Sequence, residues 1–243
     1  MTYPVDHHRR NFFRIAAATL VAGALPKAAF SQPGSLKIGI IGAGNIGGTI
    51  GGLWVKAGHP VLFSSRNPEK LKPLIDGLGS LARAGTVDDA LAFSDVIFIA
   101  VPYSALPQIS RDYGSKFSGK IVLDAGNAVE ARDGEALVKE TREKGIGNTT
   151  ASYLPGARVV RAFNSMSWRI FTKEAHRSGE LLAIPIAGDD KQAIETASQL
   201  VRDAGFEAVA VPLSRAVEFS QGGPLYGQQL TAQELRRRFG PTQ

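Results

Sequence analysis

KIGIIGAGNIG, residues 37–47, is a short apolar strand that runs directly into a glycine-rich turn. The turn has the spacing G-x-G-x-x-G, and a helical pattern begins inside it at residue 45. In a strand–turn–helix of this kind the first glycine permits the tight turn, the second lets a pyrophosphate approach the backbone, and the third lets the helix pack on the strand. The N–H groups at the helix start favour an anion. We therefore predict a dinucleotide pyrophosphate at Gly42, Ala43, Gly44, Asn45, Ile46 and Gly47.

Outward from this stretch, short apolar runs alternate with helical stretches, which predicts an α/β fold with a Rossmann-type, doubly wound parallel sheet. Predicted strands cover residues 37–42, 60–64, 95–101, 120–124 and 158–163; predicted helices cover 45–57, 68–78, 87–92, 104–113 and 134–144. Past residue 165 the rhythm changes to a strand at 182–187, a helix at 191–204 and a strand at 207–212. We therefore predict a Rossmann domain at 36–165 and a small C-terminal α/β lobe at 166–243.

The end of the second predicted strand indicates which dinucleotide is bound. An NAD enzyme normally places Asp or Glu there to hold the ribose 2′-hydroxyl, but this strand ends in Ser64-Ser65-Arg66 and has no carboxylate at its tip. An Arg fork suits phosphate geometry, and Lys70 adds a second positive charge one turn later. The sequence therefore predicts NADP, with its 2′-phosphate at Ser64, Ser65, Arg66 and Lys70. The alternative is that Arg66 and Lys70 are ordinary surface charges.

The composition of the 243 residues is that of a globular protein, with 44% hydrophobic and 21% charged residues. There is no Cys, which excludes disulfides, iron–sulfur clusters and thiol nucleophiles, and four His leave little for a metal site, so we predict none. The net charge is +6, but four basic residues and one Asp in residues 1–31 supply half of it. This is a weak argument for nucleic acid, and we predict no such partner.

Residues 1–31 have the pattern of an export signal, which we set apart from the predicted fold. Arg9-Arg10 precede two phenylalanines and a further basic residue, and an apolar stretch follows at residues 15–25. The paired arginines resemble a twin-arginine (Tat) signal, which exports folded proteins. We therefore expect a periplasmic or otherwise exported protein with the Tat machinery as a partner. An ordinary Sec signal and a buried N-terminal helix are the alternatives.

Five segments resemble the coenzyme F420-dependent NADP oxidoreductase family, whose broader group includes the reductase domain of the STEAP metalloreductases. They are residues 37–47, Ser65-Arg66-Asn67-Pro68, Ala100-Val101-Pro102-Tyr103, 159–165 (VVRAFNS) and 186–190 (IAGDD), in family order. The last two are the more diagnostic, since a generic Rossmann domain has no reason to contain them. The resemblance implies an NADP domain with a small C-terminal lobe, often a homodimer, that exchanges hydride between nicotinamide and a flavin-like acceptor.

The resemblance also implies where the nicotinamide lies, because ligands of such sheets collect at the carboxyl ends of the strands. It adds Ala100, Val101, Pro102, Tyr103, Asn127, Ala162 and Asn164 to the predicted cofactor-binding residues. Each has a structural alternative: Pro102 only ends a strand, Tyr103 only packs, and the two asparagines are turn residues.

The acceptor and the catalytic residues stay open at this point. Residues 211–215 and 218–227 depart from the family pattern, as does the leader, so the small-molecule electron acceptor is a flavin, coenzyme F420, a quinone or a metal chelate. No residue carries the motif of a general acid or base, and we assign no catalytic residue. Flat apolar surfaces for an acceptor are available at Tyr103, Tyr153, Phe163, Met166 and Trp168. A non-catalytic NADP-binding sensor is the main alternative; an imine-reductase type fits poorly because its second domain is larger and all-helical.

Overall fold

The computed structural model describes Met1 and residues 34–240 of the chain. The chain divides into two units, Met1–Phe30 and Ser31–Gln243, and every described helix and strand belongs to the second. Apart from Met1, the predicted export signal therefore lies outside the described residues. Within the described part of the chain, no helix is both long and apolar enough to span a membrane.

The second unit is built on one sheet of eight short strands. They are β1 Ile38–Ile41, β2 Val61–Ser64, β3 Ala82–Gly85, β4 Val96–Ile99, β5 Ile121–Asp124, β6 Arg158–Arg161, β7 Ala183–Gly188 and β8 Glu207–Val211. Their spatial order is β3-β2-β1-β4-β5-β6-β7-β8. The first six are parallel, β7 is antiparallel to β6, and β8 is parallel to β7. The order of the first six is that of a Rossmann sheet, which confirms the predicted fold class.

Ten α-helices connect the strands in the described residues. They are α1 Asn45–Lys56, α2 Lys72–Leu78, α3 Val87–Phe93, α4 Leu106–Tyr113, α5 Glu130–Asp133, α6 Glu135–Lys144, α7 Ile146–Tyr153, α8 Trp168–Glu174, α9 Lys191–Asp203 and α10 Ala232–Phe239. Shorter 3-10 segments lie at Pro68–Leu71, Tyr103–Ala105, Gly114–Phe117 and Leu213–Phe219. The strand order reverses between β1 and β4, and the crevice at such a switch point is where open α/β sheets bind ligands.

Close packing of α1 on the sheet brings the start of that helix to this crevice. A Cβ added to Gly51 would lie 2.4 Å from side-chain atoms of both Ile40 and Phe63, so only glycine permits the observed approach. On the same face of the sheet, the fully buried Trp54 meets Phe98 edge-on, with ring centroids 5.1 Å apart. This contact fixes α1 over β1 and β4, the strands on either side of the switch point.

Strand β3 and helices α7 and α8 are absent from the sequence-based prediction. The β3 segment, ARAG, is an edge strand with two exposed central residues, so it leaves no apolar run to detect. The α7 segment, IGNTTASY, combines glycine with β-branched residues of low helix propensity, yet its buried face packs on Leu213–Phe219. The two strands assigned to a separate C-terminal lobe extend the same sheet, and Ser31–Gln243 form one compact unit.

Candidate functional site

The shape of the glycine turn, residues 42–47, depends on the absence of Cβ atoms at its glycines. Gly42 has φ +98°, and a Cβ there would lie 2.5 Å from the Ala100 carbonyl oxygen. A Cβ on Gly47 would lie 2.0 Å from the Gly42 carbonyl oxygen, so these two positions require glycine. Gly44 is different, because it is exposed and has nothing within 4 Å of its added Cβ. No side chain caps α1, which leaves N–H groups of its first turn available to an anion.

A cationic strand tip stands beside the glycine turn. Ile41 is paired with Ser64 in the β1–β2 register, so the segments that follow the two residues leave the sheet at the same edge. Ser65 is half-buried, and its Oγ accepts a hydrogen bond from a backbone N–H two residues later at 3.1 Å. Arg66 and Lys70 are exposed, and neither has an ion-pair partner within residues 34–240. Two cations without an ion-pair partner in the described part of the chain thus lie near a helix start that has no side-chain cap, an arrangement suited to anions.

A cleft of about 440 Å³ opens at the carboxyl ends of the parallel strands. It is lined by Gly44, Asn45, Ile46, Ala100, Val101, Pro102, Ala125, Gly126, Asn127, Arg132, Phe163, Asn164, Met166, Ser167, Trp168, Gln221 and Tyr226. Eight of the predicted cofactor-binding residues therefore meet around one space: Gly44, Asn45, Ile46, Ala100, Val101, Pro102, Asn127 and Asn164. The other members of the glycine turn, Gly42, Ala43 and Gly47, are not among the residues that line it.

Asn127 and Asn164, which we call the asparagine wall, form one side of the cleft. Asn127 Nδ2 donates to the Asn164 main-chain carbonyl at 2.7 Å, and its Oδ1 accepts from the Gln221 N–H at 3.2 Å. The Ser220 hydroxyl donates to the Ala216 carbonyl at 2.7 Å, so its oxygen accepts from Asn164 Nδ2 at 3.0 Å. The amide of Asn164 is thereby fixed, and its Oδ1 is buried without a partner in the described part of the chain. A buried acceptor without a donor lowers the stability of the folded state by ~1–3 kcal/mol, and a ligand that donates to it removes this cost.

The family model described as "NADP oxidoreductase coenzyme F420-dependent" matches residues 37–128, from β1 through the loop that carries Asn127. This part of the chain, 92 of the 243 residues, is similar to that family. The similarity supports NADP as the dinucleotide, in agreement with a strand tip that carries cations and no carboxylate. The family model thus covers both the glycine turn and half of the asparagine wall.

The chain is also similar to individual proteins and solved structures. Metalloreductase STEAP3 from Rattus norvegicus is 31% identical over 176 residues, which cover 70% of this chain but 32% of that protein. The chain thus spans about a third of the length of this curated relative. A hypothetical protein from Sinorhizobium meliloti, SMa0349, superposes with a TM-score of 0.71 at 28% identity, over 82% of this chain and 97% of that one. A putative F420-dependent NADP-reductase from Arthrobacter sp. FB24 has a TM-score of 0.67 over 81% of this chain and 100% of that one; at 17% identity it shows the fold alone.

Behind the cleft lies an ion pair that is completely excluded from solvent. Asp124 ends β5 and Arg161 ends β6, and both side chains are 0% exposed. Arg161 also donates to the Gly126 carbonyl, while Asp124 Oδ1 accepts from the Gly126 N–H at 2.8 Å. The Thr150 hydroxyl donates to Asp124 Oδ2 at 2.9 Å. The pair therefore holds the loop after β5 in place, and with it Asn127.

Three further predicted cofactor-binding residues, Ser64, Tyr103 and Ala162, are each 0% exposed and do not line the cleft. Ser65, Arg66 and Lys70, at the strand tip, are not among its lining residues either. The Tyr103 hydroxyl lies 3.0 Å from Thr150 Oγ1 and 3.3 Å from the Ile146 carbonyl, deep in the same polar network. Burial, reinforced by the nearby Asp124 charge, raises the pKa of Tyr103 well above its usual range. Pro102 and Phe163, the chain neighbours of Tyr103 and Ala162, do line the cleft, so these two buried side chains lie directly behind it.

Phe163 presents Asn164 to the cleft through a strained backbone. Its φ of +60° lies in the left-handed region, which costs a non-glycine residue ~1–3 kcal/mol. Its buried ring sits edge-on among Trp54, Phe98 and Phe171, with centroids 5.7–5.8 Å apart. This packing compensates for the strain. The aromatic cluster of the core therefore holds Phe163 in the conformation that places Asn164 at the cleft.

Several cleft residues have no individual prediction from sequence. Gln221 and Tyr226 come from the segment 218–227, whose departure from the family pattern is the only signal that could have found them. Arg132 and Ser167 carry no such signal. Met166 and Trp168, named only as possible flat surfaces, do line the cleft, whereas Tyr153 does not. The C-terminal part of the chain thus contributes several residues to the lining of the cleft.

The histidines of the described residues are not part of this cleft. His59 is 2% exposed; its Nδ1 accepts from the Leu36 N–H at 2.9 Å, so the ring proton sits on Nε2, 3.0 Å from Asp203. His59 therefore has a structural role at the start of the folded unit. No cluster of three metal-ligating side chains occurs among residues 34–240.

Proposed function

We propose that this chain is an NADP(H)-dependent oxidoreductase that exchanges hydride with a planar electron acceptor: a flavin, a deazaflavin of the F420 type, a quinone or a metal chelate. The observation that carries the proposal is a single cleft that joins the glycine turn to the asparagine wall. A dinucleotide needs an anion site for its pyrophosphate and a polar wall for its carboxamide. This cleft offers both, with the free cations Arg66 and Lys70 beside the first.

In this proposal the residues of the chain bind the dinucleotide and orient its nicotinamide. The N–H groups at the start of α1 suit the pyrophosphate, and the open space at Gly44 lets it approach the backbone. The unpaired Oδ1 of Asn164 fits a carboxamide N–H, since that contact would satisfy a buried acceptor. The nicotinamide, when bound, supplies the hydride chemistry. The protein's contribution is alignment of the two rings, because holding reacting atoms in place lowers the barrier more than a proton relay would here.

The choice of NADP over NAD is tested at the strand tip. Arg66→Gln should weaken NADP⁺ binding about tenfold and leave NAD⁺ binding unchanged, since one charge-assisted contact to the 2′-phosphate is lost. Isothermal titration with both nucleotides measures this. Lys72→Gln is the matched control, because Lys72 is exposed nearby but already paired with Asp76 at 2.8 Å. Equal loss of affinity for both nucleotides would reject the assignment of Arg66.

Turnover distinguishes the enzyme from a non-catalytic sensor. The full chain should oxidise NADPH with at least one member of a panel of flavins, deazaflavins, quinones and ferric chelates. Loss of NADPH absorbance, with reduction of the acceptor followed in parallel, measures the reaction. Tight NADP⁺ binding without turnover on any of these acceptors would favour the sensor.

We further propose that residues 1–31 direct export of the folded protein through the twin-arginine pathway. Support comes from Arg9-Arg10 with the apolar stretch behind them, and from a nucleotide-binding fold that profits from loading its cofactor before export. Replacing Arg9 and Arg10 by lysines should abolish export. Cell fractionation and immunoblotting measure how much of the protein is exported. Unchanged export of this variant would reject the twin-arginine pathway.

A further inference from the structure

Arg132 is the only charged side chain that lines the cleft within the described residues. Its side chain is 48% exposed, so it is reachable by a ligand. It lies on α5, in the connection that follows Asn127, at the end of the cleft where the asparagine wall stands. A lone positive charge in a cleft of otherwise neutral groups sets the electrostatic preference of that end.

The guanidinium of Arg132 is held in a fixed orientation. Its Nε lies 3.1 and 3.2 Å from the two Asp133 oxygens, and its Nη2 donates to Asp133 Oδ2 at 2.8 Å and to the Asn127 carbonyl. Its Nη1 makes no hydrogen bond within residues 34–240. One edge of the fork is therefore used for positioning, and the remaining donor is left for a ligand.

Asp133 pairs with this charge from the inner side and offsets part of it, but its carboxylate is turned inward and leaves Nη1 of Arg132 without a partner among residues 34–240. The side chain is 0% exposed and accepts from the Val129 N–H at 2.8 Å and from the Ser104 N–H at 3.1 Å. Burial alone would raise the pKa of Asp133, but the hydrogen bonds from Arg132 and these backbone groups outweigh it and lower the pKa to about 2. Asp133 is thus a permanent anchor that also links the loops after β4 and β5.

Other residues that line the same cleft are flat or apolar. They include Trp168, whose ring centroid lies 4.8 Å from the Arg169 guanidinium, and also Tyr226 and Met166. Aromatic faces bind planar rings, and a fixed guanidinium binds carboxylate, sulfonate or phosphate oxygens. The two features together describe one kind of ligand.

We propose that Arg132 is an acceptor-binding residue and that it selects a planar acceptor carrying a negative charge at its edge. This inference rests on the proposed function, because it assigns the substrate class of the same cleft. Asp133 is the positioning residue that aims Arg132.

The test measures binding of two quinones that share a ring system, menadione (neutral) and naphthoquinone sulfonate (anionic), to the full chain saturated with NADP⁺. The oxidised nucleotide prevents turnover, so titration calorimetry reports affinity alone. Arg132→Gln should weaken sulfonate binding about tenfold, with menadione and NADP⁺ binding changed less than about twofold. Arg132→Lys keeps the charge but loses the forked guanidinium, so its affinity for the sulfonate should lie between those of the wild type and Arg132→Gln. Arg142→Gln, at an exposed arginine on α6, is the matched control.

Raising the salt concentration should weaken sulfonate binding to the wild type and have little effect on the Arg132→Gln variant. An equal loss for both quinones, an unchanged sulfonate affinity, or failure of the wild type to prefer the sulfonate would each overturn the inference. NADP⁺ affinity is measured first and separately. If the wild type binds no NADP⁺, the proposed function itself fails; if it binds NADP⁺ but shows no preference for the sulfonate, only the role of Arg132 fails.

Discussion

The glycine turn and the asparagine wall are the two ends of one cleft, but they are built in opposite ways. The glycine turn works through missing side chains: Gly42 and Gly47 permit backbone contacts, and Gly44 leaves open space. The asparagine wall works through side chains that are locked by neighbours distant in the sequence, since Asn127 meets Asn164 and Gln221. The comparison teaches that the glycine turn is formed within one short segment, whereas the asparagine wall depends on contacts between segments that are distant in the sequence.

The largest expected effect comes from breaking the support of the asparagine wall. Asp124→Asn leaves Arg161 charged and unpaired in the core, which should lower the free energy of unfolding by ~3–5 kcal/mol. Urea unfolding followed by circular dichroism measures this. Asp95→Asn is the control: Asp95 is paired with Lys120 at 2.9 Å but is 92% exposed, so its loss should cost ~0–1 kcal/mol. Similar losses for the two variants would show that the buried pair does not support the wall.

Within the glycine turn, two alanine substitutions should separate ligand binding from folding. Gly44→Ala has free space for its Cβ, so stability should stay within ~0.5 kcal/mol while NADP⁺ affinity falls by about 10- to 100-fold, because the methyl group occupies the approach of the pyrophosphate. Gly47→Ala places its Cβ 2.0 Å from a backbone oxygen and should lose both stability and affinity. Thermal unfolding and nucleotide titration on both variants measure the two effects. Unchanged affinity in Gly44→Ala would contradict the pyrophosphate assignment.

The pH dependence of stability offers a finer test of the acceptor end. The pKa of Asp133 falls from 3.8 to about 2 on folding, so its contribution is complete above about pH 4 and disappears as the pH falls toward 2. Asp133→Asn should therefore cost about 2 kcal/mol at neutral pH, and the difference from wild type should shrink between about pH 4 and pH 2. Urea unfolding across this range measures it, with the exposed Asp76→Asn as control. A difference that is constant with pH would rule out the carboxylate as the cause.

The smallest effect concerns Tyr103, which sits behind the cleft. Tyr103→Phe removes a hydroxyl bonded to Thr150 and keeps the ring, so we expect a loss of ~1 kcal/mol in stability. NADP⁺ affinity should stay unchanged, since the side chain does not line the cleft. Thermal unfolding and nucleotide titration provide the two readouts. A marked loss of affinity with normal stability would return Tyr103 to the list of cofactor contacts.

Sequence reasoning was most successful where a feature is local. The strand, turn and helix at residues 37–56 follow from apolar runs and glycine spacing, and the cationic tip at Arg66 follows from a missing carboxylate. It failed at β3, an edge strand without an apolar run, and at Ser64, Tyr103 and Ala162. Ser64 ends β2 and Ala162 follows the end of β6, but Tyr103 begins a 3-10 segment four residues after β4 ends. Position along the chain does not tell which of these side chains is buried behind the cleft.

The amino-acid sequence by itself determined the fold class, because apolar runs and helical stretches alternate along the chain, and the glycine turn, because its residues lie within one strand–turn–helix unit. Only the tertiary structure decided how the other end of the cleft is built. There Asp124 pairs with Arg161, and Asn164 donates to Ser220. Arg132 is oriented by Asp133, whose carboxylate accepts hydrogen bonds from two loops. Most of these partners come from separate strands and loops, so their meeting is a property of the packed sheet and leaves no pattern along the chain.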